Sequence, residues 1–199
     1  MDPIIIQHRI NSIKELDKIP SNLGVEVDIR ESNGDLICCH DPFYPGELFK
    51  EFLKHFDHKF IIANIKEEGI EKSVISYIKE QGIENYFLLD VSFPYITKLS
   101  QEGVNKIALR VSDFEELNLD LLKALNIKWI WLDAFENFPA EELSKIEAYA
   151  QNNEIQVCLV SPELHVSRSN LKSKQIHAQI KTIKYKFDAI CSKKPVLWQ

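Results

Sequence analysis

Eight short apolar runs, each followed by a polar or amphipathic stretch, constrain this chain more than anything else in its sequence. The runs cover residues 4–8, 24–30, 60–66, 86–90, 106–111, 129–133, 155–160 and 189–192. Between them lie stretches with helical spacing of apolar residues at 12–19, 46–55, 70–81, 93–101, 120–125, 140–151 and 169–184, with Ser92 and Ser169 as expected caps. Near-continuous apolar runs of this length suit strands buried on both faces. Strands alternating with helices must be parallel, because each crossover carries the chain back to the starting edge. Eight such units can close a ring, so the predicted fold is a compact (β/α)8 TIM barrel, one α/β domain over residues 1–199. An open or incomplete parallel α/β sheet is the alternative. The length sits at the lower limit of roughly 200 residues for such a barrel, so its loops must be terse. Asn33-Gly34 signals a tight turn into a minor strand at 36–39.

The rest of the composition narrows the function classes. The net charge is −6, with 30 acidic and 24 basic residues, which argues against a general nucleic-acid binder. The basic stretch from Lys172 to Lys194 reads as the solvated face of a helix. Cys38, Cys39, Cys158 and Cys191 show neither C-x-x-C nor zinc spacing and are expected to be small buried residues in a reducing compartment. Met1-Asp2-Pro3 lacks a basic start, and no apolar run approaches the ~20 residues of a membrane helix. A cytoplasmic protein with no integral membrane segment is expected; the sequence does not specify an oligomeric state.

Polar residues gather at the carboxyl ends of the runs. His8, Asp28, Lys66, Asp90 and Asp133 each close one, and Arg110 nearly does. In an α/β barrel that rim is where active sites form. Glu26 and Asp28 are two apart on one strand, so they share a face roughly 7 Å apart, with Val25, Val27 and Ile29 on the other. Two such carboxylates repel unless neutralised, and a divalent cation, Mg2+ or Ca2+, is the natural candidate. Salt bridging to Arg30, Lys66 or Arg110 is the structural alternative. His8 and His40 supply an acid/base pair for opposite sides of a phosphorus atom. Arg9 or Arg110 can add a forked contact to the phosphate. The remaining histidines, His55, His58, His165 and His177, carry no motif and are read as structural hydrogen-bonding residues.

Taken in order, His8-Arg9, Glu26-Val27-Asp28 and His40-Asp41 give the chain a pattern that resembles the glycerophosphodiester phosphodiesterase family, within the superfamily of phosphatidylinositol-specific phospholipases C. The family pattern is H-R, then E-x-D, then H-D. Its third strand commonly ends in E-x-K, where this chain has Asn64-Ile65-Lys66. The segment from Asp188 to Pro195 is similar to the family's closing strand. The resemblance implies a metal-dependent TIM-barrel phosphodiesterase acting on a small-molecule phosphodiester through a cyclic phosphate. His8 and His40 would be the acid/base pair, Glu26 and Asp28 metal ligands, and Arg9 and Lys66 phosphate contacts or ligand-orienting groups. Asn64 stands where the family has a third acidic ligand; its amide oxygen can still coordinate the cation, at lower site charge, or Asp90 can contribute instead. The short passage from His40-Asp41 into the helix at 46–55 leaves little room for an inserted substrate cap. Specificity would then lie in short rim loops such as Ser161-Pro162-Glu163-Leu164-His165.

Two further readings accompany this one. The Asn64 substitution and the missing insertion suit a catalytically weak or inactive barrel that binds a phosphorylated ligand or partner. Rim lysines Lys66 and Lys193 would also permit a Schiff-base aldolase, which leaves the histidine pair without a task.

Overall fold

The computed structural model describes residues 2–165 and 170–199. Eight parallel strands carry the architecture: β1 (Ile4–Gln7), β2 (Gly24–Ser32), β5 (Ile61–Ile65), β6 (Tyr86–Leu89), β7 (Ala108–Val111), β8 (Trp129–Leu132), β9 (Gln156–Val160) and β10 (Ala189–Ser192). β1 pairs with both β2 and β10, so the first and last strands are neighbours, as a barrel requires. The ladder is continuous from β6 through β5, β2, β1, β10, β9 and β8 to β7. Between β6 and β7 it thins to one parallel bridge, Leu88 with Ile107. Each predicted run therefore became a barrel strand; β10 matches its run at both ends, β2 extends two residues beyond its run, and the others stop one or two residues inside the apolar stretch at one end or both.

Strand alternation sorts the apolar residues into two shells. Inside the ring, Ile6, Phe60, Ile62, Phe87, Leu89, Trp129, Trp131 and Val160 pack with the small residues Ala108, Cys158, Ala189 and Cys191. Phe87 lies 4.8 Å from Trp129 between ring centroids, and Phe60 lies 5.3 Å from Trp129. Large and small residues must alternate for such a core to close. Gly24 illustrates the limit: a Cβ there would stand 2.9 Å from the Phe60 carbonyl oxygen and 3.0 Å from Ile6. Outside the ring, Val25, Val27 and Ile29 of β2 join the shell that includes Phe49, Phe52, Val74 and Ile78 of the helices. The four cysteines are free and buried.

The helices are α1 (Ile13–Leu16), α2 (Phe49–Lys54), α3 (Glu71–Glu80), α4 (Phe93–Gln101), α5 (Leu119–Leu125), α6 (Ala140–Ala150) and α7 (Asn170–Lys181). Two depart from expectation. α1 is a single turn capped by the Ser12 hydroxyl. The helix expected from residue 46 begins only at Phe49, because Glu47 and Leu48 form a short strand, β4, paired with β3 (Asp35–Cys38). Ser92 precedes α4, but its hydroxyl donates to Glu68 rather than capping the helix. The Ser169 cap lies outside the described residues. Among the described residues no helix is long and apolar enough to cross a membrane.

One feature of β2 positions the site. It runs on above the barrel and turns at Asn33-Gly34, both at positive φ, into the antiparallel strand β3. β3 brings the chain back down until the Cys39 N–H donates to the Asp28 carbonyl. His40 thus arrives level with Asp28.

Filling the space at Gly24 should overpack the barrel floor. Gly24→Ala is expected to cost about 1–3 kcal/mol, read as a lower denaturant midpoint with an unchanged slope.

Candidate active site

The carboxyl ends of the strands enclose a cavity of about 170 Å3, lined by His8, Arg9, Glu26, Asp28, Asn64, Lys66, Asp90, Arg110, Trp131, Asp133 and His165, with Leu89, Val160 and Leu164 as apolar walls. Seven of the eight site residues expected from the sequence meet here: His8, Arg9, Glu26, Asp28, Asn64, Lys66 and Arg110. His40 does not. It lines a neighbouring cavity of about 460 Å3 with Asn11, Ser12, Glu15, Asp41 and Tyr44. Asn11 links the two, since it lines the second cavity while its amide donates to Asp28 Oδ2 at 2.8 Å. His40 Nδ1 lies 2.7 Å from Asp41 Oδ1, on a carboxylate open to solvent. The displacement follows from the hairpin: β3 pairs along the edge of β2, so the residue after it stands beside the mouth rather than in it.

Alternation on β2 turns Glu26 and Asp28 inward, and both are almost fully buried. Buried carboxylates need partners, and the surrounding loops supply them. The Arg9 backbone N–H donates to Glu26 Oε2 at 2.6 Å, and Asn64 Nδ2 donates to Glu26 Oε1 at 2.8 Å. Arg9 takes a left-handed conformation, φ 56°, to present that N–H. The Lys66 ammonium stands 3.2 Å from Asp28 Oδ1, and Arg9 Nε stands 3.7 Å from Asp28 Oδ2. On the far wall Arg110 binds Asp133 Oδ2 at 2.8 Å and also Asp90, which Lys66 approaches at 3.5 Å. Asp90 is therefore committed to two cations.

Burial sets the proton positions. It pushes Glu26 up to about 7, with the Asp28 charge adding to the effect. It holds His8 down at about 4, with Arg9 and Lys193 contributing. The 3.7 Å contact between His8 Nε2 and Glu26 Oε2 is thus a neutral imidazole facing a carboxyl that keeps its proton up to about pH 7. A neutral imidazole is ready to accept a proton.

Among the described residues, three buried polar atoms on side chains that line this cavity have no hydrogen-bond partner: His8 Nδ1, Asn64 Oδ1 and Trp131 Nε1. Such orphans are rare and call for an explanation, and a bound ion or polar ligand is one that satisfies them. The oxygens of Glu26, Asp28 and Asn64 are hard donors of the type Mg2+ and Ca2+ select, so the residues fit such an ion in kind. They include only two acids, and among the described residues no group of three or more His, Cys, Asp or Glu side chains is arranged for a metal.

His165, expected from the sequence to be a structural residue in a rim loop that sets specificity, stands in this cavity. It follows β9 through a short turn, Pro162–Leu164, and its Nε2 lies 2.6 Å from Asp133 Oδ1. Its place at the rim end of a strand was the available signal; its partner, 32 residues earlier, was not visible.

No family model matches the chain, and no curated protein matches it. Solved structures do. A glycerophosphoryl diester phosphodiesterase from Parabacteroides distasonis aligns over 98% of this chain and 84% of its own, with a TM-score of 0.67 and 10% identity. The chain shares the barrel fold of these phosphodiesterases. A glycerophosphodiester phosphodiesterase from Agrobacterium tumefaciens covers 98% of this chain and 99% of its own, with a TM-score of 0.62 and 14% identity. A glycerol uptake operon antiterminator-related protein from Thermotoga maritima also aligns, over 100% of this chain and 99% of its own, at a TM-score of 0.52 and 14% identity. One fold thus serves different tasks, and the side chains at the mouth must carry the functional argument.

The Glu26 shift has a testable sign. The folded state holds a proton up to about pH 7 that the unfolded chain releases near 4.5. Its contribution is therefore full below pH 4.5 and lost as the pH rises through about 7. In a chelator, Glu26→Gln should raise the melting temperature at pH 8, a gain on the order of a few kcal/mol at most, and should change it little at pH 4.

Proposed function

We propose that this protein is a phosphodiesterase that cleaves glycerophosphodiester-like small molecules at the mouth of its barrel. The observation that carries this reading is the convergence of the His8 imidazole with the buried acids Glu26 and Asp28 and the cations Arg9, Lys66 and Arg110 around one small cavity. That set suits a reaction in which a hydroxyl adds to phosphorus as an ester oxygen leaves. His8 takes the proton of the attacking hydroxyl. Arg9 and Lys66 lie where they can meet the phosphate oxygens, and Arg110, held by Asp90 and Asp133, adds positive charge to the far wall. Glu26, Asp28 and Asn64 would hold a divalent cation, Mg2+ or Ca2+, which when bound offsets charge on the nonbridging oxygens. A second imidazole must protonate the leaving oxygen. The family pattern nominates His40, which opens onto the adjoining cavity with Asp41.

A second reading has its own support. Asn64 places an amide where a third acid would draw in a cation, and the Lys66 ammonium stands against Asp28. A barrel so arranged can bind a phosphorylated ligand and turn it over weakly or not at all.

Incubation with glycerophosphodiesters and Mg2+ or Ca2+ separates the two. The enzyme reading expects turnover that a chelator removes and that His8→Ala lowers by about 10²-fold or more. Tight head-group binding in calorimetry, without turnover and indifferent to the cation, supports the binder instead. Asn64→Glu, which restores the third acid, should tighten cation binding by on the order of tenfold, measured by the same titration.

A further inference from the structure

His165 enters the cavity from the side opposite the β2 carboxylates. Its strand, β9, is separated from β1 by β10 alone, so the ends of β1 and β9 stand ~10 Å apart across two strand spacings; His8 follows β1 directly, and His165 follows β9 through the Pro162–Leu164 turn. Both imidazoles line the same cavity. A phosphodiester group between them would present its attacking side to one ring and its leaving side to the other.

The His165 side of the cavity is firmly built. Asp133 is 2% exposed and is held at both oxygens. Oδ1 accepts the Ala134 N–H at 2.8 Å, and Oδ2 accepts Arg110 Nη1 at 2.8 Å. The Phe135 ring packs 4.8 Å from the imidazole. The Pro162–Leu164 turn is fixed to the end of β10, where Ser192 Oγ donates to Glu163 and Lys193 Nζ donates to the Leu164 carbonyl at 3.2 Å. By contrast, the partner of His40 is a carboxylate 68% exposed, and an exposed pair orients its members far less. With Nε2 of His165 turned to Asp133, Nδ1 is the nitrogen that a substrate oxygen can meet. The unpartnered atoms His8 Nδ1, Trp131 Nε1 and Asn64 Oδ1 in the same cavity point independently to a polar ligand there.

We infer that His165, oriented by Asp133, is the second proton-transfer group of this site and protonates the leaving alcohol. This inference deepens the phosphodiesterase reading and rests on it. The balance is that of general acid–base catalysis. The attacking oxygen forms its bond to phosphorus while the ester P–O bond breaks. His8 gains the attacking hydroxyl's proton, and His165, entering as the imidazolium, gives its own proton to the departing oxygen. When water then opens the cyclic phosphate the two rings exchange roles, and both return to their starting states. Asp133 is a positioning residue, holding the ring as the buried carboxylate of a catalytic triad does.

The test compares two esters. One is a glycerophosphodiester with an alkyl leaving group, which needs a proton. The other is the 4-nitrophenyl phosphodiester of glycerol, which keeps the attacking hydroxyl and whose leaving group departs without a proton. His165→Ala and His165→Gln should lower the first-turnover rate of leaving-alcohol release, read before water opens the cyclic phosphate, by about 10²–10⁴-fold on the alkyl ester and by less than about tenfold on the aryl ester. His8→Ala should slow both esters. Asp133→Asn should show the His165 selectivity at smaller amplitude, a pattern that a purely structural role would not produce. Melting curves of the two His165 variants confirm that the fold is retained. Equal slowing of the two esters by both His165 variants, or the leaving-group selectivity appearing in His40→Ala instead, overturns the assignment while leaving the phosphodiesterase standing. A wild-type protein that cleaves neither ester overturns the phosphodiesterase reading and the assignment together.

Discussion

Two acidic residues on one strand, turned into the mouth of a barrel, organise everything around them. Glu26 and Asp28 have no choice of direction: Val25, Val27 and Ile29 must face the helical layer, and the strand repeat sends the residues between them inward. Once buried together they demand compensation. The left-handed turn at Arg9, the Asn11 and Asn64 amides and the Lys66 ammonium all answer that demand. Much of what looks like a binding site is thus first a solution to a burial problem. The residual imbalance, a carboxyl that keeps its proton to about pH 7, is stability exchanged for a site that favours positively charged occupants.

The cavity divides its charges by wall. Carboxylates from β2 face the first strands, whereas Arg110 gathers Asp90 and Asp133 on the opposite side. This second cluster secures its own arginine and at the same time orients His165. Under the proposed function, a phosphate between the walls would meet Arg9 and Lys66 on one side and an imidazole on the other, and the small volume and short loops would suit a compact head group. Structures with the same fold include phosphodiesterases and an antiterminator-related protein, so the barrel alone says little about the chemistry; these two walls say more.

The barrel itself was legible in the chain because local periodicity and global closure agree. Each apolar run is too short for a helix and too continuous for a half-exposed strand, and eight of them separated by helices have few ways to be buried. The inward pair on β2 was legible for the same reason, since alternation is a local rule. The late start of α2, at Phe49 rather than at residue 46, was not, because β4 exists only where Glu47 and Leu48 meet Ile37 and Cys38, a pairing set by the hairpin's register.

The sequence alone determined the strand count, the inward face of β2 and the gathering of polar residues at one rim, because these depend on residues close together in the chain. Tertiary structure alone decided which histidines share a cavity. A hairpin edge carried His40 to one side of the mouth, and the closing of β9 and β10 against β1 brought His165 and Asp133 to the other. Both outcomes depend on contacts between residues far apart in sequence, which no spacing along the chain encodes.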